Sequence, residues 1–275
     1  MDQSNHIADV RELKVPAYDD HSEKFSFLRE MKGISLNEIS SVKLMNRKDT
    51  KYMLPVSKLV SIIQTIENQY FILEIEGKRM ASYETVYYDS PSLDFFHNHV
   101  NGKLNRSKVR RRTYLDSNLH FLEIKRKTNK DKTIKTRIPV DGHSDISSEE
   151  VRELVKVQTG FDIDLLSPRL INHFSRITLV NRAMTERVTI DFNLGFMAFG
   201  SEEAVSQDNL VIIEIKQDKS CYSPIREALA EKRIKKTGIS KYCLGMALTG
   251  QAKKINIMKR KLREIQKITN HEYVA

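Results

Sequence analysis

Residues 108–114 read KVRRRTY and residues 121–127 read FLEIKRK. In the first stretch Lys108, Arg110, Arg112 and Tyr114 are spaced two apart. In the second, Glu123, Lys125 and Lys127 are, with Leu122 and Ile124 on the alternate positions. Residues two apart leave a β-strand on the same side, so each stretch reads as a strand with a charged face. The pattern recurs in Arg47, Asp49 and Lys51 of RKDTK, in Lys135 and Arg137 of KTRIPV, and in Arg176 and Thr178 of SRITLV. It recurs again in Arg187, Thr189 and Asp191 of ERVTIDF, and in Glu214 and Lys216 of VIIEIKQ. One such strand means little, because an antiparallel sheet commonly has a wet side. Seven, each presenting Arg or Lys and several with a carboxylate two residues away, point to a shared polar interior. The expected fold class is α+β: a closed antiparallel β-barrel with a basic interior, its apolar outer face covered by helices.

The chain has 275 residues, of which 40% are hydrophobic and 30% charged, with 10 Gly and 6 Pro. That composition is globular and allows a sizeable core. Residues 1–22 read as a loose leader and 23–275 as a single domain. No run of about 18 apolar residues is present to span a membrane, and the first 15 residues carry no secretory pattern. Cys221 and Cys243 fit neither a zinc site nor a disulfide framework, so a reduced, cytoplasmic protein is expected. Helices are expected over residues 55–68, from Ser147 with Glu150 at capping-box spacing to Gly160, and from Ser223-Pro224 to about Lys236. A basic amphipathic helix is expected over 252–268, with Ile255, Met258, Leu262 and Ile265 packed against the body rather than a membrane. His97 and His99 fall in an expected loop. Tyr87, Tyr88 and Asp89 read as strand packing and a turn, with Tyr88 a candidate to face the interior.

The net charge is +10. Residues 101–137 hold 13 Lys and Arg against 3 Asp and Glu, so this segment alone carries 13 − 3 = +10. Concentrated positive charge asks for an anionic partner. Cations crowded inside a barrel are tolerable only when an anion fills the space or carboxylates interleave. Arg offers paired donors to phosphate and Lys a point charge. The interleaved carboxylates suit a hard cation such as Mg²⁺ or Mn²⁺ that bridges phosphate oxygens. Nucleic acid is disfavoured: between 101 and 137 the aromatics are Tyr114 and Phe121, and the chain has no Trp. The nucleotide-binding glycine motifs, HExxH and GxSxG are all missing from the sequence.

The stretches RKDTKY, YETVYYD, NRSKVRRRTY, FLEIKRK, KTR, SRITLV, ERVTIDFNL, IIEIK and SKYCLG, spread over about residues 25–248, together resemble the VTC-type polyphosphate polymerase domain of the triphosphate tunnel (CYTH-like) superfamily, most closely its lone-domain bacterial members. The resemblance implies that Lys51, Arg110, Arg112, Lys125, Lys135, Arg176 and Lys241 line the tunnel and hold phosphates, that Ser240 adds a hydroxyl, and that Glu214 binds the metal. Arg137, Arg187 and Lys216 share the inward faces. Glu123 is either a second carboxylate near the metal or, like Asp191, an ion-pair partner of facing cations. The implied activity is a metal-dependent transfer of the ATP γ-phosphate onto a growing polyphosphate chain. The same tunnel could instead serve a triphosphatase or tripolyphosphatase, or bind polyphosphate without catalysis. The expected ligands are ATP or another nucleoside triphosphate, polyphosphate, pyrophosphate or phosphate. Three departures stand out. The first strand reads Arg47-x-Asp49-x-Lys51 where the wider superfamily has E-x-E-x-K. Gly238 occupies a position that is lysine in eukaryotic members, and Phe174 one that is tyrosine. The sequence contains neither the SPX domain nor the membrane segments of the eukaryotic complexes, so regulation and export are not implied.

Overall fold

The computed structural model describes residues 23–40, 47–130, 132–141, 146, 148–218, 221–252 and 256–269; the expected leader, Ser147 and Ile255 lie outside them. The chain opens with a 3-10 segment at Glu23–Arg29. It continues through β1 (Gly33–Ile34), α1 (Leu36–Ser40), β2 (Arg47–Pro55), α2 (Leu59–Ile66), β3 (Tyr70–Leu73), β4 (Ala81–Asp89), α3 (Asp94–Val100), β5 (Arg106–Tyr114), β6 (Leu119–Lys127) and β7 (Thr133–Pro139). Then follow α4 (Glu149–Thr159), β8 (Ser167–Asn181), β9 (Glu186–Ala198), β10 (Ala204–Gln207), β11 (Leu210–Asp218), α5 (Pro224–Glu231), β12 (Lys236–Thr237), α6 (Lys241–Leu248) and α7 (Asn256–Thr269).

The strands form one twelve-stranded sheet with the path β12-β2-β11-β9-β8-β4-β5-β6-β7. Its pairings are antiparallel except β1 with β3. Among the described residues no backbone pairing joins β12 to β7, so the hydrogen-bonded path is open where a closed barrel was expected. Side chains bridge the curl instead: Lys108 Nζ on β5 donates to Ser240 Oγ, just past β12, over 2.8 Å.

The convex face is apolar, as the alternation demands. Leu54, Val188, Ile190, Ile177, Ile213 and Ile215 pack under α2 and α5. Val86, Val109, Leu122 and Ile124 pack under α4 through Val151 and Val155. A third cluster lies on the concave side, where Met53, Leu194, Phe196 and Ile212 meet Tyr242, Leu244 and Met246 of α6 and Ile265 of α7. The interior is therefore charged along one part and filled by α6 along the other. A bulge sets this division. Asn193 takes φ +50° in β9, and the β8–β9 register shifts between His173 and Ser175. The extra residue keeps Asp191 facing inward and re-aims Leu194 and Phe196 to the same side.

Four local expectations are corrected. The helix that ends at Gly160, expected to be capped by Ser147, is capped by Ser148, whose Oγ accepts from Val151 N. The helix starting at Ser223 stops at Glu231 rather than near Lys236. Arg233 turns into the left-handed region at φ +58°, and Ile234 N reaches back to Leu229 O at 2.9 Å. This is a helix-terminating turn made without glycine, with Ile234 packed on the core. His97 and His99 lie on helix α3 rather than in a loop. Asp89 caps that helix from the preceding strand, accepting from Phe95 N and Phe96 N at 2.9 Å each. Tyr88 packs in the convex cluster, and Tyr87 takes the inward position opposite Arg110. Helix α7 packs against the body through Ile265, as expected. No helix among the described residues is long and apolar enough to cross a membrane.

Candidate active site

The strand registers set the charged positions side by side. Lys51 stands opposite Glu214 and Asp49 opposite Lys216. Glu214 is aligned in turn with Thr189, and Lys216 with Arg187. Arg176 faces Asp191, while Thr85 faces Arg112 and Tyr87 faces Arg110. Arg110 faces Glu123 and Lys108 faces Lys125; Glu123 and Lys125 then face Arg137 and Lys135. The charges of Glu214, Lys51 and Asp49 act on Lys125, so β2 and β11 look across the interior at β6. Arg111, between its two inward neighbours, points the other way and is buried with Glu84 at 3.3 Å.

Three carboxylates organise the cations. Glu123, 1% exposed, receives Arg110 Nη2 at 2.6 Å and Lys135 Nζ at 2.6 Å, with Arg112 Nη1 at 3.9 Å. Burial would raise its pKa, but these cations outweigh that and hold it well below the usual carboxylate range. Asp191 takes a two-pronged bond from Arg176, 2.6 and 2.8 Å, and Lys241 Nζ at 2.6 Å. It too is held far down against the opposing effect of burial. Glu214 is looser. Its nearest ion partner is Lys216 at 3.9 Å, and Lys51, Lys216, Lys125 and Arg176 overcome burial to lower its pKa to about 2. Asp49 is exposed beside it on β2.

Aromatic rings support the guanidinium groups. Tyr83 and Phe174 stack at 5.1 Å with planes 11° apart. Arg176 lies 5.4 and 5.2 Å from their centroids and Arg112 5.5 Å from both. Lys241 Nζ sits 3.0 Å from the Phe174 centroid. Arg137, exposed at the β7 edge, lies 4.8 Å over Phe121. Crowding costs the cations: burial, then Arg110 and Arg176 against the pull of Glu123, bring Arg112 down to about 10. Burial drives Lys241 well below the ordinary lysine value despite Asp191.

The VTC domain profile matches residues 46–249. The chain belongs to the VTC domain family. No curated protein matches it. Among solved structures, it is similar to a candidate adenylate cyclase from Bacillus halodurans, with 12% identity, TM-score 0.49, 71% of this chain and 96% of that one. It is also similar to a candidate adenylyl cyclase from Hippeastrum described as having a dominant triphosphatase activity, with 14% identity, TM-score 0.46, 74% of this chain and 97% of that one. A third is a protein from Pyrococcus horikoshii, with 14% identity, TM-score 0.39, 73% of this chain and 98% of that one.

In this VTC domain the structure gathers Lys51, Arg110, Arg112, Lys125, Lys135, Arg176, Glu214, Ser240 and Lys241 around one interior. Arg187 and Lys216 form the rank beyond Glu214, where Arg187 Nη2 donates to Ile39 O at 2.8 Å. Arg137 and Lys135 are at the open β7 edge. Ser240 caps α6, accepting from Cys243 N at 3.3 Å. Of Arg47 the structure describes only the backbone. The Tyr83–Phe174 shelf, Lys108's place at Ser240 and His99 beside Lys108 were not legible as site features. Periodicity could place Lys108 and Tyr83 on the inward face, but not what they touch.

The residues fit a divalent metal only in a particular way. No cluster of three or more His, Cys, Asp or Glu side chains able to hold a metal is present among the described residues. A partly buried Glu214, its pKa lowered to about 2, is present beside cations that would hold a phosphate chain. Mg²⁺ and Mn²⁺ suit that arrangement, because Mg²⁺ keeps water and takes one or two carboxylates plus substrate phosphates. Glu123 has both oxygens engaged by Arg110 and Lys135.

Proposed function

We propose that the charged interior is a tunnel that binds a nucleoside triphosphate, ATP in the first instance, and passes its γ-phosphoryl group to the end of a polyphosphate chain. The observation that supports this most is the imbalance of the inward wall. Lys51, Lys108, Arg110, Arg112, Lys125, Lys135, Arg176, Arg187, Lys216 and Lys241 share it with Asp49, Glu123, Asp191 and Glu214. The excess positive charge matches a chain carrying about one negative charge per phosphoryl unit, and burial with neighbouring cations lowers the pKa of Arg112 and Lys241, a balance that a bound anion would oppose.

Phosphoryl transfer needs positioning and charge neutralisation more than covalent help. Arg110, Arg112, Arg176 and Lys241 would hold the triphosphate, with Glu123 and Asp191 fixing their rotamers and the Tyr83–Phe174 shelf supporting the guanidinium planes. Glu214 would hold Mg²⁺ or Mn²⁺, which would supply positive charge to the triphosphate. A terminal oxygen of the acceptor phosphate attacks the γ-phosphorus in line. The new P–O bond forms as the bond to the β,γ-bridging oxygen breaks, and that electron pair leaves with ADP. Glu123 in this reading is an orienting carboxylate, and the metal belongs to Glu214. Use of ATP is consistent with a cytoplasmic site.

The test is incubation with ATP and Mn²⁺ or Mg²⁺, with and without a short polyphosphate primer, followed by gel separation and a free-phosphate assay. Long chains and ADP, lost in Glu214→Ala and Arg110→Ala, are expected. Free phosphate without chains would make water the acceptor and the protein a triphosphatase. Tight, metal-independent polyphosphate binding without turnover would make it a binding module.

A further inference from the structure

Lys108 stands apart from the other cations of the wall. Glu123 and Asp191 are each taken up by cations within 2.8 Å, and Glu214 is shared by Lys216, Lys51 and Lys125. Among the described residues no carboxylate lies within ion-pair distance of Lys108. Its ammonium instead donates to Ser240 Oγ at 2.8 Å. That oxygen also accepts from Cys243 N at 3.3 Å. With both lone pairs used, the hydroxyl can act further only as a donor, and its present side-chain partner is Cys243, which an arriving phosphate would replace.

Most of the groups acting on Lys108 are cationic. From β2, Lys51 Nζ bonds Ile239 O at 3.2 Å, one residue before Ser240. From β6 comes Lys125, from β5 Arg110 and Arg106, and from α3 His99. Cys243 of α6 pulls the other way, its charge favouring the ammonium, and Glu214 acts on the neighbouring Lys51 and Lys125. The His99 Nδ1 atom is buried with no hydrogen-bond partner. Two strands from opposite ends of the sheet path, β2 and β5, thus send lysines to the same short turn.

We infer that Lys108, Ser240 and His99, faced by Lys51 and Lys125, form a second phosphoryl subsite, distinct from the arginine grip on the triphosphate, which holds the acceptor phosphate. This rests on the transfer reading above and assigns one of its two substrates a place. An acceptor that grows by one unit must release and shift at every turn, whereas arginines stay charged throughout. A lysine and an imidazole can lose their charge. Burial, with Lys51, Lys125 and Arg110 outweighing the opposite pull of Cys243, lowers Lys108 to about 7. Burial first, then Lys108, Arg106, Lys51 and Lys125, keep His99 neutral. An arriving phosphate reverses that balance, so the subsite gains protons as it fills and loses them as it empties.

The experiment is calorimetric titration of the full chain, saturated with a non-hydrolysable ATP analogue and Mg²⁺, with pyrophosphate at pH 7.5 in buffers of different ionisation enthalpy. The expected result is a second binding event with net proton uptake. Lys108→Met should weaken it by about tenfold or more, the loss of one charge-assisted bond, while affinity for the analogue changes less than about twofold. Lys108→Arg should keep the binding and lose most of the uptake, since arginine is already protonated; it also guards against a folding artefact. The inference is overturned if pyrophosphate does not bind the analogue complex, if Lys108→Met weakens the analogue as much as pyrophosphate, or if Lys108→Arg takes up as many protons as the wild type. None of these results requires turnover, so the subsite is tested even if the protein fails to polymerise.

Discussion

Arg176 and Asp191 face each other across β8 and β9 and are joined by two hydrogen bonds of 2.6 and 2.8 Å. Asp191 is buried and Arg176 largely so, and Lys241 closes on the same carboxylate at 2.6 Å. Such a carboxylate is worth most in what its removal exposes. Asp191→Asn would leave two buried cations with no countercharge, a loss typically of about 3–5 kcal/mol. The variant should melt well below the wild type, and polyphosphate should restore more stability to it than to the wild type by supplying the missing charge. Equal ligand-induced shifts in the two proteins, read by thermal melting, would mean that the anion does not reach this pair.

Glu214 is predicted to behave in the opposite way. Among the described residues its nearest ion partner is 3.9 Å away, whereas Glu123 and Asp191 hold cations at 2.6 Å, so its removal breaks no tight pair. Glu214→Gln should lower stability less than Asp191→Asn, because no ion pair shorter than 3.9 Å is lost, though the cations around it lose a countercharge. Polyphosphate affinity without metal should rise, because a negative charge has left an anion site. Metal-dependent turnover should fall by at least about a hundredfold, the scale of losing a main electrostatic stabiliser. Retained metal-dependent turnover would move the metal to other residues.

The crowding of cations has a consequence for pH. Lys108 is lowered to about 7, and unfolded lysine titrates near about 10.4. Between these values the unfolded chain binds more protons than the folded one, so stability rises with pH. Lys241, lowered well below the ordinary value, acts in the same direction. The carboxylates act in a different window. Glu214, lowered to about 2, contributes stability that is present above the unfolded value of about 4.3 and lost as pH falls toward 2. Without ligand the protein should therefore be more stable at pH 9 than at pH 7, and saturating polyphosphate should flatten or reverse that slope. Chemical denaturation at the two pH values, with and without polyphosphate, checks it; a ligand-free slope of the opposite sign would contradict the charge crowding.

Much of this arrangement is legible in the chain because a strand writes its two faces as alternate letters. Each of the seven stretches with charges two apart lies in a strand of the sheet. Glu123 with Arg110, and Glu214 with Lys51, are cross-strand neighbours that alternation makes available and register makes actual. Short-range pattern fails where structure is set from a distance. Helix α6 is buried on all sides, from Tyr242 to Met246, so it has no amphipathic period to detect. Helix α3 is capped by Asp89 from the end of the preceding strand, a spacing outside the usual capping motifs. The inward turn of Tyr87 rather than Tyr88 depends on how β4 is registered, with a shift between the two against β8. The meeting of Lys108 with Ser240 spans 132 residues, and periodicity carries no information over that distance.

Helix α6 gives the last prediction. Ser240 caps it and Lys241 opens it, both proposed phosphate-site residues, while Gly245, one turn further on, presses against the sheet. A Cβ there would lie 2.6 Å from Phe196 Cδ1 and closer still to Leu170 Cδ2, both in the cluster that fills the end of the interior. Phe196 and Leu170 belong to β9 and β8 and are fully buried, so the clash has to be relieved mainly by moving the helix. Overpacking of this kind costs about 1–3 kcal/mol. The functional cost should be larger than the stability cost, since a shift of about 1 Å at a positioned group can lower rate by about a hundredfold. Gly245→Ala should therefore remain folded at 25 °C, melt lower, and lose phosphoryl transfer out of proportion to its melting shift, with the loss falling on interactions made by Ser240 and Lys241. Double variants make this measurable. Lys241→Met should cost Gly245→Ala much less activity than it costs the wild type, because the lysine is already displaced. Full additivity of the two losses would show that α6 keeps its place and that the glycine serves packing alone.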